Sequence, residues 1–347
     1  MDDVIPCIDI EPLFGERSAQ RDRADRAIMA AAADTGFLLV SGLPADIPVD
    51  ASSRADLLRL FQLPEAEIRK LWRQKFDPRQ RNVYRGWFPL QPGFLTSKEG
   101  IDLGADVAYG ATVVCAGDPL REATPLPPAH LLPGWREAVA AYYLAMEKVS
   151  GALMRAIARG LGLPERYFDR AFDRGLSTLR LLRYPLRKDA ERVAESDPGV
   201  WVTHRNQRYY VTGAPHVDSG FLTLLAQDGI AGLQAHHRGG RWVDVPPTEG
   251  ALAVNFGKVL ERWCGARIKA TLHRVIGSGR ERMSIPFFYE ARADAEIRPL
   301  PIAGAAEFEP FLFGDYLWAT TTQFVEFKGL EALRKPLRAA LHAVPRA

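Results

Sequence analysis

The spacing of apolar positions changes character several times along the chain. Ile5–Ile10 is a short apolar run of the kind that opens a strand. Ser18 can cap a helix that runs to about Asp34, with Gly36 just past its end. The run Phe37-Leu-Leu-Val-Ser41, closed by Gly42 and Pro44, predicts a buried strand. Residues 53–75 read as one or two further helices, interrupted near Pro64. From Asp77 to Pro133 no period persists. Pro and Gly are frequent there, and Tyr84, Trp87, Phe88, Phe94 and Tyr109 are interspersed. A loop region this long in a compact protein is expected to be functional or packed over something. Residues 134–160 give the clearest helix. Val139, Tyr142, Met146, Val149, Leu153 and Ile157 recur at three- and four-residue steps and make one apolar face, which reads as core.

After Leu176 the texture turns to β. Short apolar runs stand at 178–184, 208–212, 221–226, 242–245, 251–256, 272–276 and 284–290, separated by Gly, Pro and Asp turns. Their fairly even spacing predicts a sandwich, barrel or jelly roll. Residues 307–343 return to helix, with Trp318, Phe324, Phe327 and Leu330 as packing residues. No repeat or linker interrupts the chain. The reading is an α+β protein of one domain over 1–347. It comprises an N-terminal α/β cap and loop region (1–133), supporting helices (134–175), a β core (176–300) and a C-terminal helical segment (301–347).

Composition narrows the possibilities. Hydrophobic residues at 47% and charged residues at 25% fit a folded globular chain and exclude disorder or coiled coil as the main state. The net charge of +3 comes without a long Lys/Arg block, so nothing calls for nucleic acid or an anionic membrane. Cys7, Cys115 and Cys264 lie far apart, which fits a reducing compartment and neither a disulfide framework nor a thiolate zinc site. The start MDDVIPCIDI lacks a basic segment followed by an apolar one, and no apolar run is long enough to span a membrane. These features predict a soluble, cytoplasmic protein. GxGxxG, P-loop and GxSxG patterns are all missing from the sequence.

The chemistry-bearing stretch is Ala214-Pro-His216-Val-Asp218-Ser-Gly220, with Leu272-His273-Arg274-Val275 downstream. On a strand, His216 and Asp218 at i, i+2 project from one face. An imidazole and a carboxylate there can hold adjacent positions on a metal, and His273 from a neighbouring strand can supply a third. Two His and one carboxylate on one side leave the opposite side open, as non-heme Fe(II) and O2 chemistry requires. An isolated His-x-Asp is more often a surface pair, so the motif needs support. Arg282-Met283-Ser284 supplies some. At i, i+2 they share a strand face, and a guanidinium with a hydroxyl makes a carboxylate seat. Leu181-Leu-Arg183-Tyr184-Pro185 suggests a strand end with Tyr184 beside it. His236 and His237 sit in an expected hairpin turn, and His130, His204 and His342 have no partner at ligand spacing.

Together these residues resemble the isopenicillin N synthase-like branch of the Fe(II)/2-oxoglutarate-dependent dioxygenases. Ile5–Ile10, Ala33–Phe37, Val40–Leu43, Arg85–Pro89 and Lys98–Asp102 are similar to that family's N-terminal and middle regions. Arg183-Tyr-Pro185, His216-Val-Asp218, Gly232-Leu-Gln234, Trp242–Pro246, Asn255-Phe-Gly257, His273-Arg-Val275 and Arg282-Met-Ser284 follow in family order and spacing. Lys258 departs from the commoner pattern, in which an Asp follows Asn-x-Gly.

The resemblance implies a double-stranded β-helix, a cupin-like jelly roll, with His216, Asp218 and His273 as iron ligands. It implies Arg282, Ser284 and Tyr184 as the seat of 2-oxoglutarate. Fe(II) is then the cofactor, 2-oxoglutarate and O2 are cosubstrates, ascorbate serves as an optional reductant, and a small molecule is hydroxylated or desaturated with release of succinate and CO2. Two alternatives stay open. Isopenicillin N synthase itself uses a comparable Arg/Ser seat for a substrate carboxylate and takes no 2-oxoglutarate. A non-catalytic jelly roll that binds a metal or ligand is the more remote one. Residues 77–110 and the segment near Phe324 are expected to form a lid, with Tyr84, Trp87, Tyr109 and Tyr210 facing the substrate. The sequence carries no sign of oligomeric state.

Overall fold

The computed structural model describes residues 4–91, 95–186, 198–237, 239–305, 307–324 and 326–338; Phe94 and His342 lie outside them. In chain order the strands are β1 (Cys7–Asp9), β2 (Phe37–Ser41), β3 (Gly86–Phe88), β4 (Glu99–Leu103), β5 (Thr178–Tyr184), β6 (Trp201–His204), β7 (Gln207–His216) and β8 (Leu222–Gln227). They continue with β9 (Leu233–His236), β10 (Trp242–Asp244), β11 (Leu252–Phe256), β12 (His273–Ile276), β13 (Arg282–Tyr289), β14 (Glu296–Ile297) and β15 (Phe311–Leu312). The helices used below are α1 (Ala19–Asp34), α2 (Trp135–Gly160), α3 (Lys258–Trp263) and α4 (Phe313–Thr321).

Two sheets form the double-stranded β-helix. The larger has the order β1-β2-β11-β8-β13-β5-β4-β3 and the smaller β10-β9-β12-β7-β6, while β14 and β15 pair separately. Alternation along the larger sheet assigns two faces. Leu38, Val40, Leu179, Leu181, Leu224, Leu252, Val254, Ile285 and Phe287 join the core that also holds the apolar stripe of α2. Their neighbours Phe37, Leu39, Leu182, Tyr184 and Ala253 turn the other way and pack with Leu233, Ala235 and Val275 of the smaller sheet. A sheet buried on both faces explains why the strands read as near-continuous apolar runs. On β13 the second face carries Arg282, Ser284 and Phe288, so the period of two aims the candidate seat into the sandwich.

The predicted stripe of α2 is buried as expected, from Val139 to Ile157. Tyr143 on the same helix sets its ring edge-on to Phe287, 5.0 Å between centroids, and its hydroxyl donates to the Ser177 carbonyl at 2.9 Å. For α1, Ser18 Oγ accepts from the Arg21 N–H at 3.1 Å, and Gly36 takes a left-handed φ of 64° just after the helix.

Three expectations change. The aperiodic stretch 77–133 contains β3 and β4, which extend the larger sheet beyond β5. Buried Asp102, paired with Arg73 and Arg180, interrupts the apolar pattern that would have marked β4. The expected C-terminal helix over 307–343 reduces, among the described residues, to α4 with a short 3-10 turn at Glu331–Leu333. Thr320 and Thr322 bond back to the Tyr316 and Trp318 carbonyls, and Gly329 at φ 92° takes a turn. β6 and β9 carry no strong sequence signal. The β6–β7 hairpin turns through Arg205 and Asn206, both with positive φ (48° and 63°), in place of the usual Asn-Gly. No helix among the described residues is long and apolar enough to cross a membrane.

Because Phe287 is fully buried between the sheet and α2, Phe287→Ala is expected to lower unfolding stability by about 3–5 kcal/mol. Denaturant unfolding measures this, and an unchanged midpoint would contradict the assignment of this face to the core.

Candidate metal centre

β7 and β12 pair antiparallel with His216 and His273 directly opposite. That register sets the two imidazoles side by side, 4.3 Å between ring centroids. Asp218 stands two residues past the end of β7, at the entry to the bend at 219–221 rather than on the strand the spacing suggested. The first turn of α3 holds that bend: the Lys258 N–H donates to the Asp218 carbonyl at 2.8 Å. Lys258 therefore acts here through its backbone, and its side-chain departure from the family pattern leaves the ligand bend intact.

The second contacts of each side chain decide its orientation. His216 Nδ1 lies 2.8 Å from the Ala214 carbonyl and His273 Nδ1 lies 3.0 Å from the Thr271 carbonyl. A carbonyl can only accept, so each Nδ1 carries a proton, and Nε2 is the atom that a neutral imidazole presents to a metal. Both Nε2 atoms face Asp218 Oδ1 at 3.7 Å. Oδ2 of the same carboxylate accepts from Thr223 Oγ1 at 2.6 Å and Asn255 Nδ2 at 2.7 Å. One donor atom from each residue lies within 4.8 Å of the other two.

Electrostatics matches the geometry. Burial, helped by the neighbouring His273, pushes His216 down to about 4, so its imidazole is neutral at pH 7. Burial works to raise Asp218, but the two histidines and the bonds from Thr223 and Asn255 hold it below the ordinary carboxylate range. Two imidazole nitrogens and one carboxylate oxygen, converging from one side, fit a non-heme Fe(II) ion. His273 is buried, whereas 39% of the His216 side chain stays exposed, so the site opens on the His216 side.

Arg282 and Tyr184 are paired across β13 and β5, with the guanidinium 5.2 Å from the ring centroid. Arg282 donates to the Ile230 carbonyl at 3.3 Å and to Gln227 Oε1 at 3.2 Å. Its Nη1 is buried without a hydrogen-bond partner among the described residues. A buried guanidinium N–H left unpaired is costly, and an incoming carboxylate would satisfy it. Ser284 follows one pleat along on the same face, also buried.

The family model described as the 2OG-Fe(II) oxygenase superfamily matches residues 177–291, from the start of β5 past β13. A 2-oxoglutarate-Fe(II) type oxidoreductase of Metarhizium rileyi is 31% identical over 309 residues, covering 82% of this chain and 77% of that protein. The chain belongs to the 2OG-Fe(II) oxygenase superfamily. Isopenicillin N synthase of Streptomyces clavuligerus is 29% identical over 320 residues, covering 90% of this oxygenase and 93% of that enzyme. The crystal structure of a full-length Neurospora crassa protein in complex with alpha-KG and 5-formyluracil is similar with a TM-score of 0.73 at 26% identity. That match covers 90% of this chain and 94% of the Neurospora chain. Fe(II) is accordingly the metal of this oxygenase and 2-oxoglutarate its cosubstrate.

A cavity of about 450 Å³ opens beside the triad and is lined by His216, Asp218 and Tyr184 among others. Tyr84 and Phe324 line it as expected. Trp87, Tyr109 and Tyr210 do not. Trp87 is buried against Phe61, the Tyr109 hydroxyl donates to Glu147 at 2.5 Å, and Tyr210 packs on Trp201. A second cavity, about 520 Å³ and lined by Arg85, Arg121 and Arg174, holds no triad residue. Of the other histidines, His204 pairs with Asp244 at 3.0 Å, and His236 ends β9 in the β9–β10 hairpin with its ring 5.0 Å from Trp242.

Sequence reasoning missed Thr223, Asn255 and Glu290. Asn255 stood inside a noted motif, and its alternation with buried Val254 marks it as facing the sandwich. Glu290 lines the triad cavity with Oε2 unpartnered among the described residues. Burial, with Asp218 nearby, pushes this carboxyl up. Because Asn255 holds Asp218 from behind, Asn255→Ala is expected to weaken Fe(II) binding about 10–100-fold. Anaerobic titration of the metal-free protein measures it, and an unaltered affinity would mean that Asn255 does not orient the ligand.

Proposed function

We propose that His216, Asp218 and His273 ligate Fe(II), and that Arg282, Ser284 and Tyr184 seat the distal carboxylate of 2-oxoglutarate. The observation that carries this reading is the convergence of two Nε2 atoms, each opposite an Nδ1 bonded to a backbone carbonyl, on one Asp218 oxygen. Held there, Fe(II) would supply the O2 chemistry by which a C–H bond of a small organic substrate is hydroxylated, or two are lost in a desaturation that also releases water, while 2-oxoglutarate is converted to succinate and CO2. The chain's own contribution is positional. The backbone carbonyls of Ala214 and Thr271 fix the imidazole tautomers. Thr223 and Asn255 hold Asp218 so that Oδ1 faces the histidines. Arg282 pairs with the cosubstrate's far carboxylate, with Tyr184 beneath the guanidinium. Tyr84, Leu317 and Phe324 shield the open side from water.

Three free cysteines, one of them fully buried, support a reducing, cytoplasmic location. The small-molecule reading is supported by the 5-formyluracil complex of the Neurospora crassa protein and by a cavity of about 450 Å³, a size that fits a small ligand. Ascorbate would act as an accessory reductant. A second reading has one observation in its favour: the similarity to isopenicillin N synthase over most of the chain. In it, the Arg282 seat takes a substrate carboxylate and no 2-oxoglutarate is used.

Anaerobic addition of Fe(II) and then 2-oxoglutarate is expected to produce a weak visible charge-transfer band, and succinate should form once O2 and substrate are present. Arg282→Gln should weaken 2-oxoglutarate binding about 10–100-fold, the equivalent of one lost charge-assisted bond. Iron binding with no band would favour the oxidase reading. An unaltered affinity in Arg282→Gln would place the seat elsewhere.

A further inference from the structure

The cavity wall away from the triad carries charges that the oxygen chemistry does not use. Arg180 on β5 and Lys98 just before β4 both line the cavity. They keep 16% and 17% of their side-chain surface exposed. Arg180 donates through Nε at 2.5 Å and Nη2 at 2.8 Å to the two oxygens of Asp102, which leaves its Nη1 outside that pair. The same Asp102 pairs with Arg73. Arg73 is fully buried over the rings of Phe88 and Phe327, with Nε and Nη1 unpartnered among the described residues. Lys98 Nζ lies 3.6 Å from Glu326 Oε1.

The charges of this cluster do not cancel. Arg73, Arg180 and Lys98 face two carboxylates, Asp102 and Glu326. Lys75, further out, faces Glu331 as well as Glu326, so its charge is matched outside the cluster and leaves the count unchanged. Glu290 is the remaining acid on the cavity wall, and its charged neighbours are Asp218 and Arg85. One positive charge is therefore left over beside a space whose other walls include Phe288, Leu317, Phe324 and Phe327. A buried excess charge is costly unless a counter-charge joins it. A single surplus charge matches a carboxylate better than a phosphate, which carries nearly two.

We propose that Lys98 and Arg180 seat a carboxylate of the substrate, which makes the molecule oxidised a small carboxylic acid with an apolar body. The inference rests on the Fe(II)/2-oxoglutarate reading above, and it names the substrate class for that site. Its seat is separate from Arg282, which does not line this cavity.

The test uses the Fe(II)-loaded protein, anaerobic and saturated with 2-oxoglutarate, titrated calorimetrically with phenylbutanoate, phenylbutanol and phenylbutylamine. These probes share one body and differ in the head group. Phenylbutanoate should bind at least about tenfold tighter than the alcohol, and the amine should bind weakest. Lys98→Met should abolish the preference and Lys98→Arg should keep it. Glu326→Gln should strengthen phenylbutanoate binding, because it removes the carboxylate that competes for the cations. A purely structural role for this pair would weaken binding in both Lys98→Met and Glu326→Gln. Equal binding of acid and alcohol, no binding of the acid, or an intact preference in Lys98→Met would overturn the proposal. The visible band with 2-oxoglutarate, recorded before any probe is added, tests the oxygenase reading separately. Without that band the oxygenase reading fails, while the head-group preference still decides whether the seat exists.

Discussion

The larger sheet is buried on both faces, and the rest of the structure depends on that constraint. Each of its central strands must satisfy two environments with one alternating pattern. One parity supplies Leu224, Val254, Ile285 and Phe287 to the layer beneath α2. The other supplies Thr223, Gln227, Asn255, Arg282 and Ser284 to the sandwich interior, where Thr223 and Asn255 bond to Asp218 and Arg282 bonds to Gln227. A slip of one residue in these strands would put polar side chains against the helix and apolar ones into the interior that holds the metal ligands. The apolar face therefore sets the register of the site.

Polar groups inside such a sandwich are tolerated only when they are partnered. The triad meets this requirement from behind, through the Ala214 and Thr271 carbonyls and through Thr223 and Asn255, so that its three free donor atoms all point one way. The result is a preorganised site in which the His216 imidazole needs no deprotonation at neutral pH and the carboxylate keeps its charge. The groups that stay unpartnered are as informative. Arg282 Nη1, Arg73 Nε and Glu290 Oε2 lie on or near the interior where small molecules would sit. They mark places where the fold carries an electrostatic cost that ligands can offset.

Much of the site was legible because its residues lie close together in sequence or recur at strand spacing. His216 with Asp218 and Arg282 with Ser284 are each i, i+2 pairs, and the stripe from Val139 to Ile157 on α2 has a helical period. Elements whose stability comes from distant partners were not legible. β3 and β4 exist because β5 offers an edge and because Asp102 finds Arg73 and Arg180. Their own residues show no strand period. The expected long C-terminal helix ends early, where threonine hydroxyls compete for backbone carbonyls and Gly329 turns the chain. The aromatics assigned to the substrate from composition divide in the same way. Tyr84 reaches the cavity, whereas Trp87, Tyr109 and Tyr210 are consumed by packing and by a bond to Glu147.

By itself the sequence determined the chemistry available: two imidazoles, a carboxylate, an arginine and a serine in an order and spacing that point to Fe(II) and a carboxylate ligand. Residue type and local period are enough for that, since they set which groups share a strand face. Only the tertiary structure decided which further groups face the substrate. Register opposes His216 to His273, brings Asn255 and Thr223 behind Asp218, and gathers Lys98, Arg180 and Glu326 from three separate segments onto one cavity wall. Those contacts join residues far apart in the chain, and their free energy comes from burial and charge pairing that no local pattern records.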